Sequence, residues 1–240
     1  MFARGLHDRG DVMTVKYLLT NGNRELKVDG IFTWSIPALA AKLSNGKNFL
    51  TCPNAGVCAN LCYARSGTYN FSNVKAAHVR NLELTLDNPS EWKTRVSEEL
   101  KAKRYQGGKS VRIHDAGDFY SEAYFLLWVN IAMENPHVFF YAYTKEVEMV
   151  KKHELPSNFV IIFSLGGTQD HLIDKENDRH AEVFPSLEAL EEAGYTNQER
   201  SDLLAATLPT NKIGIVVNNI PHFKKKQGQE TFGTLQMARK

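Results

Sequence analysis

The chain has 240 residues, 42% of them apolar and 23% charged, with a formal net charge of +2. That length suffices for one large α/β domain or two small ones, and so small a charge provides no global field that would draw nucleic acid. No apolar run approaches the ~20 residues that span a bilayer, so no membrane association is expected.

In chain order, the first signal is a β-prone run over residues 14–19. The turn formers Asn21, Gly22 and Asn23 follow, then residues 25–29 as a returning strand. An N-terminal β-hairpin extension over 14–29 is therefore expected. A strand-like run over 31–36 ends at Pro37, and residues 48–51 form a short strand leading into a cysteine loop at 52–62. Helical spacing of apolar residues predicts helices over 72–85 and 89–104, broken at Pro89.

From residue 110 onward, apolar strands alternate with helices. Strands are predicted at 110–118, 138–144, 159–165 and 212–217, and helices at 121–134, 146–153, 186–193 and 196–206. Residues 174–180 read as a charged surface loop. Near-continuous apolar strands alternating with helices imply a parallel sheet covered on both faces. The expected fold is α/β: a partial or full (β/α) barrel with a mostly parallel sheet, or an open doubly wound one. One domain covers 1–220, and a basic polar tail, expected to fray, covers 221–240.

All three cysteines stand within eleven residues, as Cys52-x5-Cys58-x3-Cys62, in a loop made by Pro53, Asn54 and Gly56. Three thiols closed onto one point are a metal-binding arrangement. They are one ligand short of a tetrahedral zinc site, or of capping every iron of a four-iron cubane. Either a distant residue completes the site or one metal stays open to a small molecule. An odd number of cysteines in a long chain argues against a disulfide framework, and thiols with no export signal (residues 1–11 are polar and mixed in charge) point to the cytoplasm. Incidental buried thiols account better for scattered cysteines than for a cluster.

Chemistry in parallel α/β folds gathers at the C-terminal strand ends. Those ends carry His114, Asp115, Gly117 and Asp118, then Tyr141, Tyr143 and Lys145, then Ser164, Gly166 and Gly167, and finally Asn218 and Asn219. His114 is a candidate fourth ligand for zinc. Asp115 and Asp118 equally suit capping of the helix that begins near Ser121.

Three motifs in order resemble the bacteriophage gene product 88 family, whose activity is unassigned. They are Thr51–Ala64 with its cysteines, Arg112-Ile-His-Asp-Ala-Gly-Asp-Phe119 and Phe140-Tyr-Ala-Tyr-Thr-Lys145. The layout is also similar to radical S-adenosylmethionine enzymes, which bind a [4Fe–4S] cluster on three cysteines after the first barrel strand, there spaced C-x3-C-x2-C. That resemblance implies cluster ligation by Cys52, Cys58 and Cys62. It places Gly117 and Asp118 at the cofactor's amino group and Lys145 or Ser164 at its carboxylate or ribose. The partner implied is S-adenosylmethionine, or another small molecule, at the open iron. The alternatives are a non-catalytic cluster protein that binds a host or phage protein or nucleic acid, and a zinc-stabilised α/β domain. A phage protein of this kind acts in the host cytoplasm.

Overall fold

A computed structural model describes residues 16–22, 24–217 and 220–239. The first elements are α1 (Arg24–Val28), β1 (Ile31–Trp34), β2 (Ala40–Lys42), β3 (Asn48–Leu50) and α2 (Cys58–Leu61). Then come α3 (Ser72–Asp87), α4 (Pro89–Leu100), β4 (Ser110–Ile113), α5 (Glu122–Glu134), β5 (Phe139–Thr144), α6 (Val147–Lys151) and β6 (Phe159–Ser164). The chain continues with β7 (His180–Phe184), α7 (Leu187–Glu192), β8 (Thr196–Asn197), α8 (Leu204–Thr207), β9 (Lys212–Val216), α9 (Pro221–Gln227) and α10 (Phe232–Met237).

Seven strands form one sheet in the order β1-β4-β5-β6-β7-β9-β8, and every pairing in it is parallel. Apart from short β8, each strand adds on the same side of the one before. Right-handed crossovers then place the connecting helices on one face. Packing agrees: residues of α3, α4, α5 and α6 share one apolar cluster with Trp34, Val111, Ile113, Phe140 and Ala142. Three tryptophans, Trp34, Trp92 and Trp128, meet there at ring separations of 5.1–6.4 Å. Alternate strand residues face the other way. Tyr141, Ile162, Ala181 and Ile213 pack with Leu26 of α1 and with Ala205 and Ala206 of α8. The architecture is α/β with a mostly parallel sheet, and among the described residues β1 and β8 are its two edges. Also among the described residues, no helix is long and apolar enough to cross a membrane.

Several local expectations are corrected. The returning hairpin strand at 25–29 is instead helix α1, where the helix formers Arg24, Glu25, Leu26 and Lys27 bury Leu26. Thr20 makes its antiparallel bridge with Thr33 of β1, at N···O distances of 3.0 and 2.7 Å. Residues 14, 15 and 23 of that expected hairpin lie outside the described residues, as do Asn218 and Asn219. The strand feeding the cysteine loop, β3, expected with the parallel strands, is instead paired among the described residues with β2 in a separate antiparallel ribbon.

Residues 174–180 were expected as surface loop, yet their last residue, His180, opens a full strand, β7. Its pattern was masked by His180 and Glu182, both buried. Residues 196–206 hold a two-residue strand and the start of a short helix in place of one helix. The tail expected to fray forms α9 and α10, pinned by Phe223 and Phe232 against Val57 and Leu61, and α10 starts at a Thr231–Thr234 capping box.

The indole of Trp34 donates to the Tyr124 hydroxyl at 2.9 Å, whereas Trp92 Nε1 has no partner among the described residues. Replacing Trp34 by Phe should therefore lower the unfolding free energy about 1 kcal/mol more than replacing Trp92 by Phe. Denaturant titration of the two variants measures that gap, and equal losses would contradict it.

Candidate functional site

The cysteine loop is held by hydrogen bonds at the C-terminal ends of two strands, β5 and β6. Cys58 N donates to the Gly166 carbonyl (3.2 Å) beyond β6, and Thr168 N donates to the Asn54 carbonyl (3.1 Å). Asn54 is also gripped from beyond β5. Its N and Nδ2 donate to the Glu146 carboxylate at 3.2 and 2.7 Å. From the far end of the chain, Gln236 Oε1 accepts from Val57 N at 2.7 Å. Gly56 sits in this crowd at φ +53°, where a Cβ would stand 2.5 Å from Gln236 Oε1 and 2.6 Å from the Gly166 carbonyl oxygen. Only glycine fits both the dihedral and the space.

Cys52, Cys58 and Cys62 are unpaired and half-buried. The Cys52 thiol is pushed up to about 12 by burial, with the nearby Asp118 charge adding to it. Its sulfur accepts from Leu39 N at 3.3 Å. Leu39 holds a left-handed φ of +66°, a conformation costly for a non-glycine residue, and its carbonyl accepts from Thr51 N (2.9 Å) and Cys52 N (3.3 Å). Cys58 and Cys62 share a hydrogen bond. It lowers Cys58 to about 6, helped by the Lys145 charge, and raises Cys62, with burial acting in the same direction. No group of three or more His, Cys, Asp or Glu among the described residues stands in an arrangement that holds a single metal ion.

Three further candidates lie together beside the thiols. Asp118 is buried, and its Oδ1 accepts from Phe119 N (2.8 Å) and Thr144 Oγ1 (2.5 Å) while its Oδ2 accepts from Lys145 N (3.0 Å). Burial raises its carboxyl, and those three donors oppose the shift. Lys145 is buried too. Its Nζ donates to Ser164 Oγ (2.8 Å), to the Ser164 carbonyl (2.8 Å) and to the Leu165 carbonyl (3.2 Å). Helix α5 is capped not by Asp118 but by Ser121, whose Oγ accepts from Tyr124 N.

Gly117 answers to a backbone constraint. At φ +94° a Cβ would lie 2.3 Å from Ile36 Cγ1. His114 turns away into the outer aromatic layer. Its Nε2 meets the Tyr124 hydroxyl at 2.9 Å, its ring packs on Phe119, and burial holds it down at about 3.

The description "Gene product 88" belongs to a family model that matches residues 7–238. This chain belongs to the gene product 88 family. The Gene 88 protein of Mycobacterium phage L5 is 33% identical to it over 110 residues, 43% of this chain and 46% of that protein. The chain therefore matches just under half the length of that curated relative. No solved structure matches.

The gene product 88 chain carries a second polar centre that single-residue reading did not isolate. Arg112, on the inner face of β4, pairs with Asp115 and Asp202, both at 3.3 Å, with all three side chains no more than 16% exposed. Its Nη2 donates to Tyr63 Oη (3.1 Å), which in turn donates to the Asp115 carbonyl (2.7 Å). Tyr69 donates to Asp115 Oδ2 and Tyr141 to Asp202 Oδ2, both at 2.6 Å. Burial works against the Arg112 charge, but Asp202, Tyr63 and Asp115 outweigh it and keep the guanidinium ionised. Tyr63 follows Cys62 directly, so this network fixes the C-terminal end of the cysteine loop. The usable signal in the sequence was an arginine in an otherwise apolar strand.

Two measurements follow from this geometry. Arg112→Gln leaves two largely buried carboxylates without their cation and should cost about 3–5 kcal/mol. Adding Asp202→Asn should recover part of that loss, and a double-mutant cycle showing strict additivity would refute the network. Glu146 is raised from 4.5 to about 7 by burial and by the Asp118 charge, so the folded state holds a proton there that the unfolded chain gives up. Stability from this group is complete below pH 4.5 and is lost as pH rises through about 7. Thermal midpoints between those limits should fall with rising pH, and Glu146→Gln should flatten the slope.

Proposed function

We propose that this chain holds a [4Fe–4S] cluster on Cys52, Cys58 and Cys62, with one iron lacking a protein ligand and open to a small molecule. The observation that carries the reading is the gathering of the three thiols in a loop locked onto strand ends, with the buried ammonium of Lys145 near Cys58. Among the described residues that ammonium forms no ion pair with a carboxylate. Its charge acts on the nearby Asp118 and Asp170 carboxylates without touching them, and it also lowers Cys58, so it suits a neighbour that becomes a thiolate. The Leu39 N–H aimed at Cys52 Sγ is the kind of donor that tunes a cluster sulfur.

S-adenosylmethionine is the proposed ligand of the open iron. Asp118 Oδ2 has one donor, Lys145 N, and retains capacity to accept an amine proton. When bound, the cluster supplies one electron to that cofactor. The chain's own part is to orient the thiolates through Leu39 and Gly166, to offset their charge through Lys145, and to exclude water by burial. The family and its phage relative support a place in the host cytoplasm.

Anaerobically purified protein should be brown, absorb near about 400 nm and contain iron and sulfide. Cys52→Ala, Cys58→Ala or Cys62→Ala should each remove or convert the cluster. Wild-type iron and sulfide in the triple variant would end the proposal. For the cofactor, the electron-spin resonance of the reduced protein should change on titration with S-adenosylmethionine. An unchanged spectrum at saturation would leave the open iron to another ligand.

A further inference from the structure

Two adjoining cavities open where α2, α9 and α10 meet. The first, of about 210 Å3, has Asn60, Cys62, Arg65 and Lys226 in its wall. The second, of about 380 Å3, shares Asn60 and Lys226 and is floored by Val57, Leu61 and Leu235. Together they make one depression with an apolar floor and a cationic rim. The larger cavity alone is within the range of small-molecule sites, roughly 300–1,000 Å3.

The charges in this wall are unbalanced. Arg65 Nη1 donates to the Ala59 carbonyl at 2.9 Å, which ties the guanidinium to α2. Among the described residues neither Arg65 nor Lys226 pairs with a carboxylate, and no Asp or Glu lines either cavity. Two cations facing one cavity repel each other, and a bound anion relieves that repulsion. An arginine fork beside a lysine point charge suits phosphate oxygens. The charges converge on a cavity and do not run along a face, and the net charge is only +2, which favours a small ligand over a nucleic-acid strand.

We propose that this depression binds a small-molecule phosphate ester. The phosphate lies between Arg65 and Lys226 and the apolar body lies over Val57, Leu61 and Leu235, a nucleotide being the simplest such ligand. The site goes beyond the cluster reading and stands without it, although Cys62 reaches its wall.

Calorimetric titration with ATP and with inorganic pyrophosphate tests this. ATP should bind and pyrophosphate should compete at least tenfold more weakly, because it lacks a body for the floor. Arg65→Ala and Lys226→Glu should each weaken ATP at least tenfold. Lys225→Ala, on the same helix but outside the wall, should change it less than twofold. Lys226 is exposed, so its variant reads the site without the structural bond that Arg65 makes to Ala59. No ATP binding at millimolar concentration would overturn the proposal. So would equal affinity for pyrophosphate, which would assign the rim to inorganic phosphate. Tighter binding of a single-stranded oligonucleotide, weakened as much by Lys225→Ala as by Lys226→Glu, would show a nucleic-acid surface instead.

Discussion

Asp118 ties two strand ends together from the inside. Its carboxylate takes donors from Phe119 on its own loop and from Thr144 and Lys145 at the end of β5. A buried carboxylate without such donors would cost several kcal/mol, so the loop after β4 and the end of β5 hold one relative position or the group is not tolerated. That position sets the start of the Lys145 side chain, which then crosses to the Ser164 and Leu165 carbonyls at the end of β6. One carboxylate and one ammonium thus register three adjacent strands at the edge where the cysteine loop lands.

The loop gains its shape from that edge more than from its own residues. Gly166 and Gly167 bring backbone close under Gly56, and the Asp170 carboxylate fixes them by accepting from both of their N–H groups at 2.8 Å. The two described non-glycine residues in left-handed conformation, Leu39 and His114, both flank this edge. Leu39 aims its N–H at a cysteine sulfur. His114 turns β4 outward so that its ring enters the aromatic layer and the chain after it can reach Asp118. Strain of this kind persists where the surroundings over-determine it, which marks the edge as the constrained part of the molecule.

On the other side of the loop, Tyr63 passes constraint from Cys62 to Arg112 and on to Asp115 and Asp202. The thiols are therefore held between two polar centres of opposite character. One has a lysine without a carboxylate partner, and the other has an arginine shared by two carboxylates. The first acts on the sulfurs with both signs, the Lys145 charge lowering Cys58 and the Asp118 charge raising Cys52. The second is balanced within itself and serves position.

Much of this was legible in the sequence because the signals were local. Apolar runs bounded by turn formers located β1, β4, β5, β6 and β9, and helical spacing located α3, α4 and α5, since burial on a strand or helix imposes its own period. The clustering of every cysteine marked the loop. What failed locally was settled by tertiary contact. β7 hid behind His180 and Glu182, polar residues that a strand can bury only because Tyr195 and Gly233 supply partners. The tail looked unfolded until Phe223 and Phe232 had Val57 and Leu61 to pack against. Asp202 joined the site from 90 residues beyond Arg112. The sequence by itself determined the α/β alternation and the position of the thiols, because periodicity and composition act within a few residues. Only the tertiary structure decided the direction in which the sheet grows, the partners of Lys145 and Arg112, and the cationic cavity beside Cys62, because these depend on groups that approach one another only after the strands are aligned.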